Sequence, residues 1–214
     1  MAPLVVVISV ALGLGIAHLA APRHEPGVVD PRGTPTVDSP SPAPTEPPPS
    51  PTVEPGELVE LNDASLTVPA EWTIASDELV EGDRRAVRLV EPATDARLQA
   101  LTLGASEQTP AQACEALVEL QRQAYSGATT QLMLEFSVPG AGEGVTCGFE
   151  GTRTGDGVPN LVSFTLLSRE VDGHLLMLRA TVPEAVPAAA RARTQLVGMQ
   201  CEASRTFGVR LPLC

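Results

Sequence analysis

The stretch "LVSFTLLSREVDGHLLMLRATV", residues 161–182, contains two apolar runs separated by Asp172-Gly173. An Asp-Gly pair between two such runs predicts a β-hairpin with a type I′ turn, and strand side chains alternate between the two faces of a sheet. One face of this hairpin carries Val162, Phe164, Leu166, Leu175 and Met177, and the other carries Leu167, Leu176, Leu178, Ala180 and Val182. Because both faces are apolar, we expect the sheet to be covered on both sides.

Two helices are available to cover it. The stretch "TPAQACEALVELQRQAYSG", residues 109–127, begins with the N-cap residue Thr109, has Pro110 at the first helical position and ends at Gly127, an expected C-cap. Its expected apolar face consists of Ala113, Ala116, Leu117, Leu120 and Ala124. The Ala-rich residues 183–207 predict a second helix.

Further strand-like runs lie at residues 64–76, 84–92, 96–104, 131–138 and 143–153. Strands and helices in this order predict an α+β domain over residues 57–214. We expect an antiparallel sheet of about six strands with helices packed on both faces, an α/β/α sandwich.

The N-terminal run "APLVVVISVALGLGIAHLAA", residues 2–21, has only Ser9 and His18 as polar side chains. About 20 apolar residues in a helix span the roughly 30 Å hydrocarbon core of a membrane. Residues 1–21 therefore predict a transmembrane anchor. The alternatives are a signal peptide cleaved after Ala17 or Ala21, and a buried helix of a cytosolic protein.

Residues 22–56 contain 12 of the 21 prolines in the chain. Proline has no N–H to donate and a restricted φ, so this segment predicts a disordered, extended linker of polyproline II type. We interpret it as a stalk. The alternative is a docking segment for a proline-recognising partner or for sugar attachment.

The location of the domain is predicted from the linker and the cysteines. Arg23 alone, by the positive-inside rule, would place the C-terminal side in the cytoplasm. The stalk and an even number of cysteines favour the opposite orientation. We expect a single-pass protein of the cell membrane with its C-terminal domain extracytoplasmic, or a secreted protein if the signal is cleaved.

The four cysteines are Cys114, Cys147, Cys201 and Cys214. Their spacing contains neither the close pairs of structural zinc sites nor a redox C-x-x-C, so disulfides are the better interpretation. Four cysteines allow three connectivities. Cys147 alternates with Val145 and Phe149 and should face a covering helix, which favours a partner on a helix. We favour Cys114–Cys147 with Cys201–Cys214, and the other connectivities stay open.

Composition argues against several kinds of chemistry. The net charge is −12 and all 14 basic residues are Arg, so nucleic acid is not an expected partner, and neither a P-loop lysine nor a Schiff base is available. Of three histidines, only His174 lies in the domain, and we expect it to be a solvent-facing turn residue. We predict no catalytic residues, no metal and no cofactor.

Four short stretches together suggest a family: "LTVPAEWTI", "RRAVRLVEP", "TPAQACEALVEL" and "QLVGMQCEASRTFGV". In this order they resemble the C-terminal domain of actinobacterial type VII secretion-associated proteins, and more loosely the PsbP-like α/β/α sandwich, over about residues 60–210. The resemblance implies a membrane-anchored accessory of the secretion machinery, with its domain outside the cytoplasm and protein partners in the secretion complex.

These features predict a non-enzymatic, membrane-anchored, extracytoplasmic accessory or interaction domain. One alternative is an exported module that binds a small ligand or lipid between helix and sheet. Another is a hydrolase that uses His174.

Overall fold

The structure is a computed structural model that describes residues 56–80, 82–184 and 189–214. The predicted anchor (residues 1–21) and residues 22–55 of the predicted linker lie outside the described residues. Within the described ranges, no helix is both long and apolar enough to cross a membrane.

The domain contains ten strands and two helices in the described residues. The strands are β1 (Glu57–Leu61), β2 (Ala64–Val68), β3 (Thr73–Val80), β4 (Arg84–Glu91), β5 (Ala96–Leu103), β6 (Tyr125–Thr130), β7 (Leu134–Val138), β8 (Gly142–Arg153), β9 (Pro159–Arg169) and β10 (Leu175–Pro183). The helices are α1 (Pro110–Arg122) and α2 (Ala189–Phe207).

Eight strands form one antiparallel sheet in the order β3-β4-β5-β10-β9-β8-β6, and β7 also pairs with β8. The long strand β8 pairs with β7 near its start and with β6 near its end. Strands β1 and β2 form a separate hairpin. The α+β class with an antiparallel sheet is confirmed, but the expected count of about six strands is too low. Residues 57–61 and 125–130, which the sequence did not suggest as strands, form β1 and β6.

The sheet has an apolar core on each face. Leu167, Leu176 and Leu178 belong to the core beneath α2 and the β1–β2 hairpin. Phe164 and Leu166 belong to the opposite core, on the side of α1. Full burial of one such side chain contributes about 1.5–3 kcal/mol. Both faces of the 161–182 hairpin are therefore covered, as its alternation predicts.

The turn of that hairpin differs from the prediction. A type I′ turn needs positive φ at both central residues, whereas Gly173 has φ 69° and Asp172 has no positive φ. The Gly173 N–H donates to the Arg169 carbonyl (2.8 Å), and the Arg169 N–H donates to the His174 carbonyl (2.9 Å). The turn is therefore longer than two residues, with glycine at its left-handed position.

Helix α1 also ends earlier than predicted. Thr109 caps it in a capping box and Pro110 is in its first turn, but the C-cap is Gln123 rather than Gly127. Gly127 has φ 62° and lies in β6 at an irregularity of the pairing with β8. The buried face of α1 also differs from the predicted apolar face. The buried residues are Pro110, Cys114 and Val118. Ala116, Leu120 and Ala124, which were expected to face the core, are exposed.

Candidate functional site

The predicted site residues, the four cysteines, form two bonded pairs. Cys114 on α1 is joined to Cys147 on β8, with a Cα–Cα distance of 6.2 Å. Cys201 on α2 is joined to Cys214, with a Cα–Cα distance of 5.6 Å. This is the connectivity that the sequence favours. No cysteine is free, so no thiol is present to attack a substrate or bind a metal.

The second feature is a group of charged side chains at one end of the sheet, here called the hairpin-end cluster: Asp63, Arg84, Arg169, Asp172 and His174. Asp63, in the β1–β2 turn, accepts hydrogen bonds from Arg84 and Arg169. The Nδ1 atom of His174 lies 3.1 Å from Oδ2 of Asp63. The Nη2 atom of Arg169 donates to Oδ2 of Asp172 (2.6 Å). The cluster therefore ties the β1–β2 hairpin to β4 and to the β9–β10 turn.

The expectation that His174 faces solvent is wrong. Its side chain is 26% exposed because the ring is enclosed by Asp63 and by the two arginines of the cluster. Sequence reasoning missed this contact because Asp63 is 111 positions away along the chain. Among the described residues, the hydrogen bonds and ion pairs of the ring are all with members of this cluster, and none is with a Ser, Thr or Cys.

Both carboxylates of this cluster are held in the ionised form. Burial alone would raise the pKa of Asp63, but the hydrogen bonds and charges of Arg84, His174 and Arg169 outweigh it, and the pKa is lowered. The hydrogen bond from Arg169 lowers the pKa of Asp172 to about 2. These charges are internally compensated, so the cluster has the features of a structural tie.

The third feature is the half of the sheet that α1 leaves open. Helix α1 packs on β8, β9 and β6, whereas α2 packs on the opposite face. On the α1 side, no helix of the described residues covers β3, β4 and β5. We call this surface the open half-face. Its polar side chains include Thr73, Glu78, Arg88 and Arg97, and the two arginines are 41% and 52% exposed.

A row of polar residues crosses the open half-face from β3 to β5 and continues onto the adjacent strand β10. Ser76 pairs with Arg88, Arg88 pairs with Gln99, and Gln99 pairs with Arg179. We call these four residues the arginine row. Neighbouring strands lie about 4.8 Å apart, so Arg88 and Arg179 are separated by roughly 10 Å at the backbone. Beyond Arg179, the same line of paired residues leads to Phe164 and then to Cys147, which lie on the part of the sheet that α1 covers.

Two members of the arginine row have a buried polar atom without a partner. Four buried side-chain atoms of the described residues lack a hydrogen bond, and Ser76 Oγ and Arg179 Nε are two of them. Such atoms are rare in native proteins and call for an explanation. No carboxylate of the described residues lies within 4.0 Å of the Arg179 guanidinium, whereas Arg88 is 3.9 Å from Glu78.

The electrostatics of Arg179 are unfavourable in the isolated domain. Burial lowers the pKa of Arg179, a hydrogen bond and the charge of Tyr125 partly offset that effect, and the nearby Arg88 and Arg97 lower the pKa further. Arg193, Arg205 and Arg210 also lack a carboxylate partner among the described residues, but they are exposed, so water can satisfy them. Arg179 is the half-buried arginine of the described residues without a carboxylate partner.

Sequence reasoning missed this row. The available signal was a single arginine inside the otherwise apolar run "LLMLRATV", residues 175–182. Its relation to Arg88 depends on the strand order β4-β5-β10, which joins segments about 90 residues apart and is not visible in local patterns.

Two of the surface cavities formed by the described residues have volumes of about 400 and 380 Å³. The first lies beside the Cys201–Cys214 disulfide and is lined by Glu202, Arg205 and Arg210. The second lies between the start of α1 and β7, with Glu135 and Glu143 in its lining. These charged linings do not favour an apolar ligand. No group of three or more His, Cys, Asp or Glu in the described residues could hold a metal ion.

Comparisons with known proteins give loose structural likenesses. No family model and no curated protein matches the chain. The Saccharomyces cerevisiae Ran-binding protein Mog1p is 15% identical, with 68% of this chain and 93% of that chain covered and a TM-score of 0.48. LpqN, involved in cell envelope biogenesis in Mycobacterium tuberculosis, is 13% identical, with coverages of 71% and 83% and a TM-score of 0.41. At these values the likenesses carry no argument about binding or activity.

Proposed function

We propose that this chain is a non-enzymatic, extracytoplasmic interaction domain that binds a protein partner through its open half-face. The observation that carries the proposal is the uneven covering of the sheet. Helix α2 and the β1–β2 hairpin cover one face of the sheet. On the other face, β3, β4 and β5 present polar and charged side chains. A half-buried arginine whose pKa is lowered by burial, and which has no carboxylate partner among the described residues, marks a candidate binding surface.

The extracytoplasmic location is supported by the two disulfides. Disulfides form and persist in oxidising compartments and are rare in the cytosol. All four cysteines are engaged, and one pair joins α1 to the sheet. A membrane anchor at residues 1–21 and a role as an accessory of type VII secretion are the finer parts of the proposal, and the resemblance in sequence is their support.

The non-enzymatic part is supported by the environment of His174. General-base catalysis by histidine needs a nucleophile within hydrogen-bond reach of the ring. In the described residues, carboxylates and guanidinium groups occupy that range. If the purified protein shows any hydrolytic turnover, we expect the rate to be unchanged in His174→Ala. A loss of that turnover would favour the hydrolase alternative.

Photo-crosslinking in living cells tests the proposal. A photoreactive amino acid replaces Thr73, which is exposed on β3 within the open half-face, and a matched variant carries it at Thr194, exposed on α2. We expect a protein adduct at position 73 and none at position 194. Equal labelling at both positions, or no adduct at position 73, would contradict the proposal. Components of a type VII secretion complex in the adduct would support the finer assignment.

A further inference from the structure

The arginine row contains unused hydrogen-bonding capacity that the fold itself does not explain. Ser76 Oγ and Arg179 Nε are buried, and neither has a hydrogen-bond partner among the described residues. The side-chain amide of Gln99, between Arg88 and Arg179, makes no hydrogen bond within the described part of the chain. Leaving a buried donor unsatisfied is costly, whereas an apolar residue at position 179 would avoid the cost.

The same residues concentrate positive charge in an acidic chain. Arg88, Arg97 and Arg179 lie close enough for the first two to disfavour the charged form of the third. The whole chain carries a net charge of −12. Arg97 is paired with Asp95, and Arg88 lies 3.9 Å from Glu78, so Arg179 carries the charge that no carboxylate of the described residues compensates. A cation of this kind complements an acidic ligand and would repel a basic one.

The chemistry of the donors selects the ligand. A guanidinium group presents parallel N–H donors that match the two oxygens of a carboxylate. On this same face, Arg97 already binds the carboxylate of Asp95, 2.7 Å away, and Arg153 binds Asp95 and Asp156. Arg179 offers the same chemistry without a carboxylate from the described residues.

We propose that the arginine row, with Arg97 beside it, binds a carboxylate side chain of an acidic segment in the protein partner. The carboxylate lies against Arg179 and accepts hydrogen bonds from it, while Gln99 and Arg88 contact the same or a neighbouring acidic group. This inference rests on the proposed function and names the chemistry of the partner. It accounts for a half-buried cation that no carboxylate of the described residues neutralises.

Two variants of the full-length chain test the inference. Arg179→Met removes the charge and keeps the length of the side chain, and Arg193→Met removes an exposed arginine of α2 that makes no ion pair within the described ranges. The probe is a short fluorescein-labelled peptide of alternating Asp and Ser, and fluorescence anisotropy gives its Kd at low and moderate salt. We expect Arg179→Met to raise the Kd about tenfold or more and Arg193→Met to leave it unchanged.

Measurement of Tm separates a role of Arg179 in binding from a role in stabilising the fold. If Arg179 serves binding, its replacement by Met removes a half-buried charge that has no carboxylate partner among the described residues, and we expect Tm to stay the same or to rise by about 2 °C or more. A fall in Tm with an unchanged peptide Kd would show a purely structural arginine and overturn the inference. Tighter binding of inorganic phosphate than of the peptide would overturn the carboxylate assignment.

Crosslinking separates this inference from the proposed function. Absence of an adduct at position 73 in cells would show that the proposed function fails. An adduct at position 73 whose yield does not change in Arg179→Met would show that the partner binds elsewhere on the open half-face, and only this inference would fail.

Discussion

At the scale of single residues, charged side chains in this domain fall into two groups. Asp63 and Asp172 are bonded to arginines and complete a compensated cluster at one end of the sheet. Arg179 is half-buried and has no carboxylate partner among the described residues. The first arrangement stabilises the fold, and the second is a cost that binding can offset.

The compensated cluster predicts a dependence of stability on pH. The pKa of Asp172 in the folded state is about 2, below its ordinary value of 3.8, so the ionised form stabilises the fold. This contribution is fully present above the ordinary pKa and is lost as the pH falls from 3.8 to about 2. The lowered pKa of Asp63 acts in the same direction.

Urea unfolding across this pH range measures the effect. We expect the unfolding midpoint of the wild-type protein to fall more steeply with acidification than that of Asp172→Asn. Glu170→Gln, at an exposed carboxylate of the same turn, is the control and should follow the wild type. Identical pH profiles for wild type and Asp172→Asn would contradict the role assigned to the Arg169–Asp172 pair.

We expect alanine substitutions at two glycines to change stability in opposite directions. Gly173 has φ 69°, and an added Cβ would lie 3.3 Å from Cβ of Ala105, so Gly173→Ala should destabilise the domain by about 1–2 kcal/mol. Gly198 lies within α2 with open space around it, so Gly198→Ala should stabilise by about 0.5–1 kcal/mol. Chemical denaturation checks both. A stable Gly173→Ala variant would mean that the turn does not need its left-handed residue.

At the scale of elements, the two helices are attached to the sheet very differently. Only Pro110, Cys114 and Val118 of α1 are buried. Helix α2 buries eight of its residues, among them Leu196, Met199 and Phe207. The disulfide from Cys114 to β8 is therefore expected to contribute a large share of the attachment of α1.

Removal of this disulfide tests that attachment. The double variant Cys114→Ala/Cys147→Ala should lower the free energy of unfolding by about 3–4 kcal/mol in the chain-entropy account. Hydrogen exchange should show a selective loss of protection in α1, with α2 retained. The matched variant Cys201→Ala/Cys214→Ala should leave α1 protected. Wild-type protection of α1 without the first disulfide would contradict this account.

Local sequence patterns predicted those elements whose determinants are local. The alternation Val145-x-Cys147-x-Phe149 placed the cysteine on a core face, and the capping box at Thr109 placed the start of α1. The end of α1 was misplaced because Gly127 has a positive φ, as a helix C-cap has, but lies in β6 where its pairing with β8 is irregular. Tyr125 is the first residue of this strand, and the centroid of its ring lies 5.0 Å from that of Phe149. The local sequence does not show this contact.

The candidate site depended on long-range pairing and was not predicted. Arg88, Gln99 and Arg179 become neighbours only when β4, β5 and β10 take adjacent places in the sheet. Similarly, Asp63 contacts His174, which is 111 positions away in the sequence. Because this contact is not visible in local patterns, His174 was predicted to face solvent. Alternation assigns side chains to faces, but strand order decides which of them meet.

At the scale of the whole molecule, the described residues form a domain whose sheet has one closed face and one face that their helices cover only in part. Helix α2 and the β1–β2 hairpin cover the first, and α1 covers only β6, β8 and β9 on the second. Both helices are linked by disulfides, α1 to the sheet and α2 to Cys214. The two disulfides are consistent with a domain outside the cytoplasm, and the half-open face is the surface through which we propose that it binds a partner.

The central claim, an oxidised domain outside the cytoplasm, is tested most directly by the thiol state of the protein in its own cells. Intact cells that contain the full-length chain are treated with a membrane-permeant alkylating reagent, and the protein is then denatured without reductant and weighed by mass spectrometry. We predict that none of the four cysteines is alkylated. Alkylation of all four would contradict the disulfides and, with them, the extracytoplasmic location.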